Sequence, residues 1–314
     1  MSVDLSLISS LFKKRFKDSE IVDFDKMPAQ GAPGEYLPTG SISLNLAIAV
    51  GGFKRGTVNE IFGPESSGKS TLVMDLVREA QRMFPDKPVG YVDVEQAFNK
   101  TYAQQIGINL SPDRFMLTQE GETETALNQM QFFAEQGLSL IILDSVAAMV
   151  SEAETESGDT TKADMGGNAK DMSTHLRKMI KVCRLTGTIA IYVNQVRDNV
   201  GVMFGNPETT SGGKALRFYS SLRIRTSVKD RIKDTDGEVN GVLIKAEVKK
   251  NKLGGAPYRV AEYPLIFNQG IDGMRDLGDL AISKGLFGAG AGGRYVFEGT
   301  KLHGKTSVYQ LLRD

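Results

Sequence analysis

"TVNEIFGPESSGKSTLVMDLVREAQRMF", residues 57–84, decides how the rest of the chain is read. Its first seven residues are a short apolar run rich in β-branched side chains, the pattern of a buried strand. "TLVMDLVREAQRMF" follows with helical character. Between them "GPESSGKS", Gly63 to Ser70, fits the phosphate-loop spacing of Gly, four residues, Gly, Lys and Ser or Thr. The glycines let successive backbone N–H groups curl around phosphate oxygens at a helix start, where the dipole favours anions. On this reading Gly63, Pro64, Glu65, Ser66, Ser67, Gly68, Lys69, Ser70 and Thr71 hold a nucleotide. Lys69 reaches the β and γ phosphates, and the Ser70 hydroxyl binds Mg2+. The competing reading is an ordinary Gly-rich turn; the strand before it and the helix after it are the motif's own context and argue against that.

Working outward, "PVGYVDV" (88–94), "LSLIILD" (138–144) and "TIAIYVN" (188–194) alternate with helical stretches. A parallel sheet with crossover helices requires that alternation, so the fold class is α/β. Open α/β sheets bind ligands at the carboxyl ends of their strands. Those ends carry Glu95, Asp144 and Gln195. Asp144 suits outer-shell coordination of Mg2+. Glu95 is placed to position and activate a water, and Gln195 to sense the γ-phosphate. Each alone is equally readable as a strand-end cap, and only their convergence on one edge favours a site.

After residue 215 the pattern changes. "SLRIRTSV", "VLIKAEVKK" and "YRVAEYPLIF" follow with only turn-like gaps, which predicts an antiparallel extension and so a mixed, mainly parallel sheet. "NQGIDGMRDLGDLAISKGLF" reads as a helix, and a Gly-rich turn, "GAGAGG" at 288–293, leads to a small α+β end. At the front, "DLSLISSLFKKRF" (4–16) puts Leu5, Ile8, Phe12 and Phe16 near one helix face. "SEIVDFD" reads as a strand and residues 26–40 as a Pro/Gly-rich linker. This arm is too short to hold a core, so it docks either on its own body or on a neighbouring copy. The expected division is 1–36, 37–268 and 269–314.

Bulk composition excludes more than it assigns. The 314 residues are 40% hydrophobic and 24% charged, ordinary for a soluble globular protein. No apolar run approaches the ~20 residues of a membrane span, and no signal-peptide core opens the chain. The single cysteine, Cys183, excludes an internal disulfide and fits a reducing cytoplasm. Lys plus Arg and Asp plus Glu are equal at 38 each, so any nucleic-acid affinity must come from local clustering.

Two stretches supply such clustering, and a third invites a partner without it. In the helix "NAKDMSTHLRKMIKVCRL", Ala169, Met172, Leu176, Met179, Ile180 and Cys183 form an apolar face. Lys170, Ser173, Thr174, Arg177, Lys181 and Arg184 lie opposite, either a phosphate-binding stripe or simply a solvated face. His175 falls toward the polar side and reads as solvated. "VKKNK" (248–252) sets Lys250 and Lys252 on one side of a strand, either as lysines protecting an edge or as charge stabilisers at a phosphate. "VMFGNPETTSGG" (202–213) is too apolar for a solvated turn and too flexible for a core, as a segment awaiting a partner would be.

"LPTGSISLNLAIAVGGFKRGTVNEIFGPESSGKS", "YVDVEQA", "LIILDSVAAM", "NQVR" and "GVMFGNPETTSGGKALRFY" together closely resemble the bacterial RecA recombinases, from about Leu37 to Asp272. The resemblance implies a RecA-like P-loop NTPase core with an N-terminal helix-strand oligomerisation arm and a small C-terminal domain. It implies ATP and Mg2+ as ligands, and a cytoplasmic homo-oligomer that forms a helical filament on single-stranded DNA. That filament hydrolyses ATP as a DNA-dependent ATPase, pairs homologous double-stranded DNA and serves recombination and DNA repair. Glu95 matches the family's catalytic glutamate, Gln195 its γ-phosphate sensor and Tyr102 its adenine-stacking tyrosine. Lys250 and Lys252 match lysines acting across the subunit interface, and Phe218 an interface aromatic. DNA loops fall on roughly Glu156 to Gly166 and Gln195 to Lys214. Met165 and Val200 match residues that wedge between bases, and Ser173, Arg177, Gly212 and Gly213 match phosphate contacts. Gly166, Lys170, Arg197 and Lys214 join them as DNA-binding candidates.

Departures are Asn99 where the family usually has Asp, Phe267-Asn268 for Tyr-Gly, and Asp198-Asn199 in place of an uncharged residue and a lysine. The chain also ends without the family's frequent acidic tail, as a compact phage or divergent member would. Two other functions compete. A ring helicase would share the core, and a non-catalytic accessory protein would bind ATP without turnover. The match of "MFGNPETT" disfavours the first, and intact Lys69, Ser70, Glu95, Asp144 and Gln195 disfavour the second.

Overall fold

The computed structural model describes residues 14–15, 34–150, 165–198, 208–211, 214–234, 236–290 and 293–313. The chain divides into two compact units, Met1–Ala32 and Pro33–Asp314. Of the first, only Lys14 and Arg15 are described, both helical; the apolar face at Leu5, Ile8, Phe12 and Phe16 and the strand over "SEIVDFD" lie outside the described residues.

The second unit is built on one large sheet. β3 (Val58–Gly63), β4 (Val89–Asp93), β5 (Phe115–Thr118), β6 (Leu140–Asp144) and β7 (Ile189–Asp198) lie in the order β3-β7-β6-β4-β5, all parallel. β9 (Leu222–Lys233) adds in parallel on the free side of β3. β10 (Val239–Asn251), β11 (Val260–Ile266) and β12 (Gly270–Ile271) then continue antiparallel. The mixed, mainly parallel sheet expected from the sequence is present. β5 had no counterpart in the sequence pattern, because "FMLT" is short and presents two exposed residues, Met116 and Leu117, in a run that lacks alternation.

The helices cover both faces. α2 (Lys69–Met83) buries Leu72, Val73, Leu76, Val77 and Ala80 completely. Each large aliphatic side chain so buried contributes about 1.5–3 kcal/mol of transfer free energy. Tyr36–Leu37 (β1) pairs antiparallel with Phe53–Lys54 (β2), so the segment read as pure linker contributes a buried strand, with α1 (Ile42–Ile48) beyond it. α3 (Lys100–Gln105) follows β4, and α4 (Thr123–Glu135) follows β5. α5 (Met165–Thr186) packs Met172, Leu176, Met179 and Cys183 into a second apolar cluster on the opposite sheet face.

At the far end, "NQGIDGMRDLGDLAISKGLF" is not one helix: β12 precedes α7 (Gly273–Ser283), which Asp272 caps through Arg275 N. The Gly-rich patch read as a turn begins as a strand, β13 (Gly288–Gly290), paired with β14 (Arg294–Phe297) and then β15 (Thr300–His303). α8 (Gly304–Leu311) closes this α+β end, whose own small cluster includes Ala281, Phe287, Leu302 and Val308.

Candidate nucleotide site

Parallel register brings the chemistry to one edge. Gly63 ends β3 opposite Gln195 of β7, and Asp93 ends β4 opposite Asp144 of β6. The phosphate loop leaves β3 there and enters α2 through Gly68, whose backbone is left-handed at φ 79°. A side chain on Gly63 would stand 2.2 Å from the Thr226 carbonyl oxygen, so only glycine fits that corner. Ser67 Oγ lies 2.9 Å from Thr226 Oγ1, tying the loop to β9.

Lys69 Nζ donates to the carbonyls of Gly63 at 3.2 Å and Pro64 at 2.7 Å. Burial lowers its pKa, against the opposing pull of Asp144, Glu95 and Glu65. A cation left in that position is under-compensated, as a phosphate-binding lysine must be. Ser70 Oγ donates to Asp144 Oδ2 at 3.0 Å, and the Tyr91 hydroxyl donates to the same oxygen at 2.7 Å. Burial raises the Asp144 pKa, and the Tyr91 and Ser70 hydrogen bonds oppose that rise. A hydroxyl and a carboxylate oxygen on adjoining elements are the hard donors Mg2+ prefers.

Glu95 Oε1 accepts from Gln195 Nε2 at 3.1 Å and from Ser145 Oγ. Glu95, in the turn after β4, and Gln195 of β7 therefore touch across β6. The backbone N–H groups of Val94 and Glu95 both donate to the Asp144 carbonyl, which holds the turn after β4 over that strand.

A cleft of about 820 Å3 opens on the loop, lined by Glu65 to Thr71 and by Tyr102, whose hydroxyl donates to Thr71 Oγ1 at 3.1 Å. Asn99 caps α3 by accepting from Tyr102 N at 2.9 Å, so a departure from the family pattern still holds the helix turn that carries Tyr102. The far wall is Val228, Arg231, Val242, Leu265, Phe267 and Asn268. Sequence reasoning reached only Phe267 and Asn268 there, because the others come from β9, β10 and β11, far along the chain. The volume, the glycine corners of the loop at Gly63 and Gly68 and the oxygen donor set fit a nucleoside triphosphate with Mg2+.

Beneath the site lies a network that sequence reasoning missed. Glu60 on β3, fully buried, pairs with Arg223 Nε and accepts from Asn194 Nδ2 at 3.1 Å. Asn194 also donates to the Ser211 carbonyl at 3.0 Å, and its Oδ1 accepts from Gln195 N. The signal was available: Glu60 is a charge inside an apolar strand.

The other candidates lie apart from the cleft. Lys250 Nζ donates to the carbonyls of Arg217 at 2.6 Å and Phe218 at 2.8 Å, and its pKa is pushed down to about 8, first by burial and then by Lys252 and Arg223. Neither Lys250 nor Lys252 lines the cleft. β10 runs between β9 and β11, but its register with β11 ends at Glu247, so Lys250 pairs only with Arg223 of β9 and Lys252 follows the strand's end. Phe218, on the short helix α6 (Ala215–Tyr219), is 66% exposed, and Lys214 before it is exposed.

On α5, Lys170, Thr174, Arg177, Lys181 and Arg184 are exposed and Ser173 is half-buried. Two assignments on this helix are corrected. His175 is buried, with Nε2 2.7 Å from the Tyr192 hydroxyl, and burial drives its pKa down to about 3. Ile180, placed on the apolar face, is 38% exposed. Both follow from the helix's seat, which turns the 172–175–179 line rather than the 180 position toward the sheet.

Met165 and Gly166 form the first turn of α5 instead of loop, and Arg197 lies in β7. The second loop is shorter than its expected span: β7 continues to Asp198 and returns as β8 (Glu208–Thr210), pairing Val196 with Thr210. Val200, Gly212 and Gly213 lie outside the described residues.

Sheet topology, phosphate loop and polar strand ends together define a phosphate-loop nucleotide-binding protein. The sequence profile described as the RecA N-terminal domain matches residues 4–272, and the chain belongs to that family. It is 38% identical to the protein named RecA of Cytophaga hutchinsonii, over 88% of this chain and 77% of that one. It is 40% identical to that of Bacteroides thetaiotaomicron, over 89% and 83%. With the Thermus aquaticus protein it shares 37% over 96% and 87%. A crystal structure of the RadB recombinase superposes with a TM-score of 0.55 at 20% identity, covering 75% of this chain and 98% of that one, which speaks to the fold.

Proposed function

We propose that this chain is an ATP-dependent recombination and DNA repair protein. It assembles as a helical filament on single-stranded DNA, hydrolyses ATP and promotes homologous pairing and strand exchange. The observation that carries this reading is the Gln195–Glu95 hydrogen bond at 3.1 Å, set beside the Ser70–Asp144 pair at the mouth of the phosphate loop.

Lys69 and the loop amides hold the phosphates, and Tyr102 stacks on the base. Ser70, with Asp144 behind it, holds Mg2+, which neutralises developing phosphate charge when bound. Glu95 accepts the proton of the attacking water. Gln195 occupies Glu95 until a γ-phosphate competes for its amide; the exchange frees the base and pulls on β7, at whose end the DNA loop begins. Lys250 and Lys252 act on a neighbouring subunit's nucleotide, with Phe218 in the same interface. Lys170, Ser173, Arg177, Arg197, Lys214, Gly212 and Gly213 contact DNA phosphates, and Met165, Gly166 and Val200 approach the bases. Residues 1–36 serve as the polymerisation arm, 37–268 as the motor and 269–314 as a small accessory domain.

The test is ATP turnover with and without single-stranded DNA, alongside strand exchange on homologous duplex. DNA-stimulated turnover with exchange is expected. Unwinding without exchange would instead indicate a ring helicase, and absence of turnover an accessory protein.

A further inference from the structure

We propose that a second pocket, distinct from the phosphate-loop cleft, takes one nucleotide unit of the bound strand: its phosphate on a cationic floor and its base on an exposed tyrosine. The cavity is about 290 Å3 and shares no lining residue with the cleft. That volume is at the lower end of small-molecule sites, which suits a single nucleotide better than a triphosphate.

Four cations line it, Arg217, Arg223, Arg225 and Lys249, and among the described residues no carboxylate does. Two of them pair with carboxylates outside the cavity, and Arg225 is also engaged. Glu60 pairs with Arg223, and Glu247 pairs with Lys249 while also holding Lys245. Those two lysines keep the Glu247 carboxyl down at about 2, so it stays ionised throughout the working range. Opposite charges behind the wall fix Arg223 and Lys249 in place.

The aromatic part is independent of the charges. Tyr258 lines the same cavity, is 77% exposed, and sits at φ 67°, a left-handed backbone that a bulky non-glycine residue adopts at a cost. Its N–H is anchored to the Val248 carbonyl at 2.6 Å. An exposed ring held on strained backbone beside clustered cations matches the way single strands are gripped, by base stacking plus phosphate contacts. A single carboxylate from a second copy would need neither the ring nor four cations.

Position names the source of the nucleotide. Phe62, Val196 and Thr210 complete the wall, and Val196 and Thr210 open the β7–β8 ladder, which runs on through Arg197–Thr209 to Asp198–Glu208 before the stretch assigned to DNA by family resemblance. This inference rests on the DNA-binding reading above.

The experiment uses the full chain with a slowly hydrolysed ATP analogue, a fluorescent oligo(dT) and a salt series. Arg225→Gln/Lys249→Gln is expected to flatten the slope of log affinity against log salt by about 0.7 for each phosphate no longer neutralised. Tyr258→Leu is expected to weaken binding at least about fivefold at unchanged slope, because stacking releases no counterions. Analogue binding, read separately, should match wild type and report intact folding. If wild type itself binds no DNA, the functional reading fails. If wild type binds and both variants match it in slope and affinity, the pocket assignment fails alone. Two further results would also overturn it: a change confined to free dTMP binding, or an unchanged DNA slope with altered self-association without DNA.

Discussion

Replacing Glu60 by Leu should be among the most damaging substitutions outside the cleft, and its size can be worked from the contacts. Glu60 is 0% exposed and Arg223 is 7% exposed. Removing the carboxylate leaves a buried guanidinium whose remaining described partner in this pocket is the Phe62 ring, 4.4 Å from its centre. Breaking a buried pair this way costs about 3–5 kcal/mol. The ring offsets about 1 kcal/mol of that. Asn194, which loses one of its two acceptors, adds back about the same. The expected loss is therefore about 4 kcal/mol. For a unit of this size that lowers Tm by roughly 8 °C, at about 2 °C for each kcal/mol. Urea titration followed by circular dichroism measures it, and the double variant Glu60→Leu/Arg223→Met completes the cycle. Apolar replacement of both partners should recover most of the loss. A single-variant loss under about 1 kcal/mol, or a double variant no better than Glu60→Leu, would refute the account. Because Asn194 holds Gln195 N, Glu60→Leu should also slow ATP turnover under conditions where the protein is fully folded.

Other outcomes are expected. Lys69→Ala should abolish turnover, and normal hydrolysis by that variant would remove the phosphate-loop assignment. Tyr91→Phe deletes a hydrogen bond to Asp144 and should weaken Mg2+ dependence of turnover about 10- to 100-fold, read from the Mg2+ concentration giving half-maximal rate. Mixing Lys250→Ala with Glu95→Ala subunits should restore activity above either alone, and a mixture as inactive as its parts would argue against action between subunits. His175, held at about 3, resists protonation in the fold but not when unfolded, so it costs stability as pH falls from about 6.5 toward 3. Asp75, raised to about 7 by burial, acts with the opposite sign between about 4 and 7. His175→Leu/Tyr192→Phe removes only the first, so its stability relative to wild type should rise on acidification; a constant difference from pH 7 to 4 would contradict the buried histidine's role.

The sequence by itself determined the motor core. A phosphate loop must follow a strand and open a helix, and the polar residues ending the neighbouring apolar runs must reach the same edge if those strands are parallel. Gly63, Lys69, Ser70, Glu95, Asp144 and Gln195 were therefore readable from local pattern and topology rules. The antiparallel extension was readable too, from strands joined by turns alone. What only the tertiary structure decided are contacts between residues far apart along the chain. Glu60 meets Arg223 across 163 positions, and the far wall of the cleft comes from β9 to β11. His175 shows the limit most clearly. Helical periodicity places a residue on an angle, but which angle is buried depends on where the helix rests, and here it rests with the His175 ring against Tyr192. Periodicity is a property of the local backbone, whereas burial belongs to the surface that the backbone is laid upon.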